Sequence, residues 1–237
     1  MKDFTTVFGN DAAFKTTSWG LVRSSRSLKA LDSLVSIYWK PLYFYVRRRG
    51  YDNETAKDLV QGFFSTMIER GALTKADPAR GKFRTFLLAA LVNFIKDCSK
   101  GSSRLKRGGG QSIQSLDFAQ GEAEFAVDVS GGEPPEKELD RDWARCVWKL
   151  ALTELKGEPA HLEAFKLYLD DADYSSISAK TGLSEGAAKT AVHRLKGQLR
   201  EIIVGHIEST LTGDADLGEE IGEFMELLSR EPPAPSA

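Results

Sequence analysis

Apolar side chains recur at helical spacing along most of this chain, and that periodicity constrains the fold more than any other feature. The clearest run lies in 83–98, with apolar residues at i, i+3, i+4, i+7, i+8, i+11, i+12 and i+15: Phe83, Phe86, Leu87, Ala90, Leu91, Phe94, Ile95 and Cys98. Four further segments carry a similar stripe: 28–49, 54–70, 137–156 and 160–170. Because no segment shows a sustained apolar–polar alternation with a period of two, the sequence predicts an all-α fold without a sheet.

The helical spacing stops over 108–138, a stretch punctuated by glycine and proline runs such as Gly108-Gly109-Gly110 and Pro134-Pro135. Such runs favour loops, and a long aperiodic segment inside one compact fold is uncommon. We therefore predict two small helical domains, 1–107 and 139–207, joined by an acidic flexible linker over 108–138. Residues 208–237 are then an acidic C-terminal extension. Its apolar stripe either packs on its own domain or meets a regulator: Leu217, Ile221, Phe224, Met225 and Leu228.

The formal net charge of −2 conceals a strong segregation of charge along the chain. Segments 95–107 and 187–200 each carry a local charge of +4, whereas 108–142 and 208–231 each carry −7. Clustered bases are the electrostatic footprint of a nucleic-acid partner, so the distribution matters more than the sum.

Several protein classes are excluded by composition. Two cysteines cannot form a disulfide framework, and the three histidines lack ligand-pair spacing, so we expect no metal and no cofactor. No run approaches the roughly 18 apolar residues of a membrane helix, and the N-terminus lacks an export signal. We expect a cytoplasmic protein without a membrane partner.

The segment 174–200, YSSISAKTGLSEGAAKTAVHRLKGQLR, has the pattern of a helix-turn-helix. Gly182 suits a tight turn with positive φ, and Ser184 suits the cap of the next helix. That helix would bury Ala188, Val192, Leu195 and Leu199 and expose the polar face Lys189, Thr190, His193, Arg194 and Lys196. Such a helix either enters a DNA major groove or is merely a solvated amphipathic helix.

Three segments of the chain resemble the extracytoplasmic-function sigma factors of bacterial RNA polymerase, and they occur in the same order as in that family. The C-terminal block is the segment just described, which resembles that family's minus-35 domain. The others are YWKPLYFYVRRRGYDNETAKDLVQGFFSTMIER, similar to its first helices, and FRTFLLAALVNFIKDCSKGSSRLKR, similar to its minus-10 helix. The resemblance implies a non-catalytic subunit that binds core RNA polymerase, directs it to promoter DNA and assists promoter melting.

The resemblance also implies roles for individual residues. Minus-10 contacts would come from Asn93, Lys96 and Asp97, and phosphate contacts from Lys100, Arg104, Lys106 and Arg107. Minus-35 contacts would come from Ser184, Lys189, Thr190, His193, Arg194 and Lys196. Polymerase contacts would come from Asp58, Leu59, Gln61, Phe64 and Met67. For the α-helical positions the competing interpretation is an ordinary exposed or buried helix face.

Two other functions compete with this interpretation. One is a free-standing helix-turn-helix regulator, which would be expected to bind a palindromic site as a symmetric dimer. The other is a nuclease or recombinase, which is disfavoured because the acids concentrate in the linker and tail instead of forming a catalytic cluster. Whether an anti-sigma factor or another regulator binds as well is left open.

Overall fold

The computed structural model describes residues 28–70, 82–100, 116–127, 133–210 and 217–229. Within these ranges the regular structure is entirely α-helical, which confirms the predicted all-α class. The helices are α1 (Leu28–Arg48), α2 (Asn53–Glu69), α3 (Phe83–Lys100), α4 (Phe118–Val127), α5 (Pro135–Glu154), α6 (Pro159–Leu169), α7 (Tyr174–Thr181), α8 (Glu185–Thr210) and α9 (Leu217–Ser229). None of these helices is both long and apolar enough to cross a membrane.

The chain divides into two compact units. The N-terminal unit contains the described residues 28–70, 82–100, 116–127, 133–146 and 208–210, and the C-terminal unit contains 147–207 and 217–229. The division falls within α5, between Cys146 and Val147. It therefore lies beyond the predicted end of the linker at 138, and the first half of α5 folds with the N-terminal unit.

In the N-terminal unit α1 packs against α2, and α2 packs against α3. Their apolar stripes meet in a core in which Ile37, Leu42, Val60 and Leu91 are fully buried. Asp52 caps α2, with Oδ1 accepting a 2.9 Å hydrogen bond from the Thr55 backbone N–H. The apolar periodicity read from the sequence therefore forms the core of this unit.

Helix α4 corrects the prediction that 108–138 has no regular structure. It packs on α1, and Phe118 is buried there with its ring edge-on to Trp39 and Tyr43. The contact face follows i, i+3, i+4 and i+7: Phe118, Gly121, Glu122 and Phe125. Because a glycine and a glutamate occupy its two middle positions, this stripe does not register as apolar periodicity.

The first half of α5 is bound to α1 and α3 by ion pairs. Asp142, which is buried, accepts from the Arg48 guanidinium, and Asp140 accepts a 2.7 Å bond from Arg84 Nε. Arg84 is also buried, with its guanidinium 4.5 Å from the centre of the Trp143 ring. Arg84 lies off the apolar stripe of 83–98, and the acid and ring supplied by α5 explain why it is nevertheless buried.

The C-terminal unit is formed by the second half of α5 with α6, α7, α8 and α9. Its core includes Phe165, Ile177, Leu195 and Phe224, each exposed by 2% or less. Phe224 lies on α9, so the acidic helix of the C-terminal extension is packed in its own unit, as one of the two sequence interpretations proposed.

Candidate nucleic-acid-binding surface

A tight turn between α7 and α8 presents the N-terminus of α8. Gly182 has φ of +74° in the left-handed region, where a side chain would be strained, and its N–H donates to the Ser178 carbonyl. The Ser178 hydroxyl donates to the Leu183 carbonyl at 2.6 Å, which fastens the turn. Ser184 then caps α8, its Oγ accepting from the Ala187 N–H at 3.2 Å. The cap and the positive-φ glycine lie where the sequence predicted them.

Helix α8 buries one face and exposes the other. The buried positions are Ala188, Ala191, Val192, Leu195, Leu199, Ile203 and Ile207. Lys189, Thr190, His193 and Arg194 are exposed, as is Ser184 at the helix start. The structure therefore brings five of the six predicted C-terminal DNA-binding residues to one exposed face and its N-terminal end.

The exposed cations of α8 have weak partners within their own unit. Lys189 is 58% exposed, lies 3.9 Å from Glu185 and has its ammonium 5.3 Å from the centre of the Tyr174 ring. Arg194 Nη2 lies 3.0 Å from His161 Nδ1. Both cations remain accessible to a partner outside the chain.

Lys196, the sixth predicted residue, behaves differently. Its ammonium donates to the Tyr168 hydroxyl at 2.7 Å and lies 4.5 Å from the centre of the same ring. The Tyr168 ring is buried and stacks on Tyr174, with 6.0 Å between ring centres. Lys196 is therefore held against Tyr168 within the unit, and its predicted DNA contact stays a prediction.

Sequence reasoning missed three side chains that bear on this surface: His161, Tyr168 and Tyr174. They lie on α6 and α7, distant in sequence from the α8 residues that they contact. The packing of α6 on α7 sets their positions, so no local pattern reveals them.

A second exposed polar face lies on α3 in the N-terminal unit. Asn93, Lys96, Asp97 and Lys100 are all exposed, and their i, i+3, i+4, i+7 spacing places them on one side of the helix. Helix α3 ends at Lys100. The three predicted phosphate contacts that follow it lie outside the described residues: Arg104, Lys106 and Arg107.

The predicted polymerase-contact residues divide into two groups on α2. Asp58 is exposed and Gln61 is partly exposed, so both are accessible to a partner. Leu59, Phe64 and Met67 are exposed by only 4%, 2% and 5%, because they pack in the α1–α2–α3 core. At this exposure the three side chains hold α2 in place, and Asp58 and Gln61 are the accessible members of the predicted set.

Among the described residues no group of three or more His, Cys, Asp or Glu side chains is arranged to hold a metal ion. Comparison with protein-family models, with curated proteins and with solved structures found no match to this chain. The geometry of the two exposed faces therefore carries the functional argument.

Proposed function

We propose that this chain is a sigma factor of the extracytoplasmic-function type, a subunit that directs RNA polymerase to promoter DNA. The observation that carries the proposal is the exposed face of α8, where Lys189, His193 and Arg194 project beside Thr190 with no acid between them. In a helix-turn-helix the second helix enters the major groove with its N-terminal residues nearest the bases. The Gly182 turn and the Ser184 cap support that role for α8.

The α3 face supports a second DNA contact, made by the other unit. Asn93 supplies an amide for a base edge, and Lys96 and Lys100 supply charge for phosphates on the same side of the helix. A base held out of the stack during melting needs such polar partners. Two DNA-binding helices in separate units suit the minus-10 and minus-35 elements of a promoter.

Polymerase docking is assigned to Asp58 and Gln61, the accessible members of the α2 set. The buried members of that set act indirectly, because Leu59, Phe64 and Met67 hold α2 against its neighbours. A charged and an amide side chain on a helix held this way form a polar surface against which a partner can pair.

The decisive experiment is gel filtration of the full-length chain with bacterial core RNA polymerase. We expect stoichiometric co-elution and transcription from specific promoters by the reconstituted enzyme. A chain that binds DNA but never co-elutes with polymerase would instead be a free-standing regulator. The intact chain is required, because removing 208–237 would delete α9 with its buried Phe224 and the last turn of α8.

Two variants separate the proposed roles. Asp58→Lys should abolish co-elution, whereas Glu54→Lys, a matched change at an exposed site of α2, should not. Asn93→Ala should leave co-elution intact and reduce open-complex formation, measured by permanganate reactivity of unpaired thymines. Its control is Thr85→Ala, at an exposed position of α3. Loss of polymerase binding by Asn93→Ala would contradict its assigned role.

A further inference from the structure

Helix α4 is joined to α1 by aromatic contacts at both ends of its contact face. The Phe118 ring centre lies 5.1 Å from that of Trp39 and 5.4 Å from that of Tyr43. Seven residues later along α4, the Phe125 ring centre lies 5.6 Å from that of Phe44. These contacts bury surface that α1 would otherwise expose.

Between the aromatic residues the contact is ionic. Arg47 donates to both carboxylate oxygens of Glu122, from Nε at 3.0 Å and from Nη2 at 2.7 Å. The Tyr43 hydroxyl also donates to Glu122, and Lys40 donates to Glu124 at 2.8 Å. The cations belong to α1 and the acids to α4, so the two surfaces are complementary in charge.

Gly121 sets the distance between the two helices. A Cβ built on it would lie 3.1 Å from two atoms of the Trp39 ring, closer than ordinary van der Waals contact. Only a very small residue fits at this position of a bound helix. The α1 surface therefore selects a defined pattern: an aromatic residue, a small residue three later, acids four and six later, and a second aromatic residue seven later.

The covered α1 surface has the composition of an interaction hot spot. Tryptophan, tyrosine and arginine are the residues most enriched at such spots, and Trp39, Tyr43 and Arg47 lie together here with Phe44 and Lys40. A small cavity among α1, α2 and α3 is lined by a different set of side chains: Leu34, Val35, Phe64, Met67, Ile68, Phe83 and Leu87. Departure of α4 would uncover the first set without opening the second.

The contacts that hold α4 on α1 are of kinds that solvent conditions can weaken. A helix of ten residues is not stable alone, so α4 depends on its contacts with α1. The Arg47–Glu122 and Lys40–Glu124 pairs are partly exposed, with side-chain exposures between 17% and 28%, so dissolved salt screens them. Helices held by such contacts unfold locally before the core of the protein unfolds.

We propose that the α1 surface formed by Trp39, Lys40, Tyr43, Phe44 and Arg47 is a protein-docking site. Helix α4 closes it within the free chain, and an acidic amphipathic helix with the same residue pattern binds it in trans. Because the surface carries cations, an acidic ligand complements its charge. Because the helices approach closely at Gly121, the bound helix must have a small residue at its centre. The proposal is independent of the sigma-factor assignment.

The test uses a fluorescently labelled peptide with the sequence of residues 116–127, titrated into the full-length chain. Gly121→Gln raises helix propensity yet places a long side chain against Trp39, so it should displace α4 and open the surface. Ala123→Gln is the matched control, because residue 123 is exposed on the opposite side of α4. We expect Gly121→Gln to bind the peptide about tenfold tighter than wild type or more, since the tethered competitor is gone. The control should match wild type.

Three further measurements guard against trivial outcomes. Adding Arg47→Ala to Gly121→Gln should abolish peptide binding, and a labelled single-stranded oligonucleotide should gain no affinity from Gly121→Gln. Hydrogen exchange of the wild-type chain should show α4 amides opening before α1 amides, more so as salt is added. Equal protection of α4 and α1, equal peptide affinity in all variants, or a gain for the oligonucleotide alone would overturn the proposal.

Discussion

Four cations of α1 and α3 and two cations of α8 lie on similar amphipathic helices but have different surroundings. On α1 and α3, four cations each contact a carboxylate supplied by α4 or α5: Lys40 with Glu124, Arg47 with Glu122, Arg48 with Asp142 and Arg84 with Asp140. On α8, Lys189 has its nearest carboxylate at 3.9 Å within its own helix, and Arg194 contacts a histidine. Paired cations hold a unit together, whereas cations left outward are available to a partner.

This difference depends on packing and not on local sequence. Both sets of basic residues lie beside apolar stripes with helical spacing. From its local sequence alone, each set could form either an ordinary solvent-exposed helix face or a binding face. What separates them is whether a distant segment brings acids over the bases. In the N-terminal unit that segment is the acidic stretch around α4 and the start of α5.

The largest effect is expected where a paired cation is buried. Asp142→Ala would remove the buried carboxylate that the Arg48 guanidinium contacts, and the Asp142 side chain is only 1% exposed. Breaking a buried pair in this way costs about 3–5 kcal/mol, which urea denaturation would report as a lower free energy of unfolding of the N-terminal unit. The double variant Arg48→Met/Asp142→Leu should be far closer to wild type, and equal loss in both would show that the pair is not the cause.

The outward cations should affect binding instead of stability. Lys189→Ala and Arg194→Ala should each weaken promoter DNA affinity by about 1–3 kcal/mol if they read bases. Thermal unfolding should change little. Fluorescence anisotropy with a labelled promoter fragment would measure the affinity, with Lys166→Ala as a control at an exposed position of α6. Unchanged affinity in both variants would remove the α8 face from the binding surface.

Lys196 sharpens the comparison, because it lies on α8 but belongs to the paired class. Tyr168→Phe removes the hydroxyl that accepts from Lys196 and keeps the ring, so it should cost about 0.5–1.5 kcal/mol of stability. DNA affinity should stay near that of wild type. Tyr174→Phe keeps the stacked ring and the Lys196 bond, which makes it the control. A loss of DNA affinity with unaltered stability would place Lys196 among the DNA contacts.

The smallest effect concerns acidification of the α4 contact. Hydrogen bonding from Arg47 lowers the pKa of Glu122 below its ordinary 4.5. A lowered pKa means that the pair stabilises docking above pH 4.5 and that this contribution is lost as the pH falls through the lower, folded value. Partly exposed pairs contribute about 1 kcal/mol or less. The protection factor of the α4 amides, corrected for the pH dependence of intrinsic exchange, should therefore fall below pH 4.5 in wild type but not in Glu122→Gln. An identical pH response in both would assign the effect to other acids.

Much of the fold was predictable from local chemistry. The stripe from Phe83 to Leu91 and the positive φ of Gly182 follow from residue spacing and from the conformational freedom of glycine. The candidate site was predictable only in part. Exposure of Asn93, Lys189 and Arg194 follows from helical phase, since these residues lie opposite the buried stripe.

Other predictions required knowledge of distant partners. Phe64 and Met67 are apolar residues that a sequence can assign to a core or to an interface with equal ease, and only the packing of α1 and α3 buries them. Lys196 is engaged because α6 places Tyr168 beneath it. Helix α4 was missed because its contact face includes Gly121 and Glu122, whose value depends on Trp39 and Arg47.

The sequence by itself determined the helical class, the main apolar stripes and the turn at Gly182, because these depend on residues within a few positions of one another. Tertiary structure alone decided which charges are paired, since Arg48 meets Asp142 and Arg47 meets Glu122 across long stretches of chain. An ion pair depends on distance in space, and sequence spacing constrains that distance only within a helix. The division between cations that hold the fold and cations that face outward was therefore settled by folding.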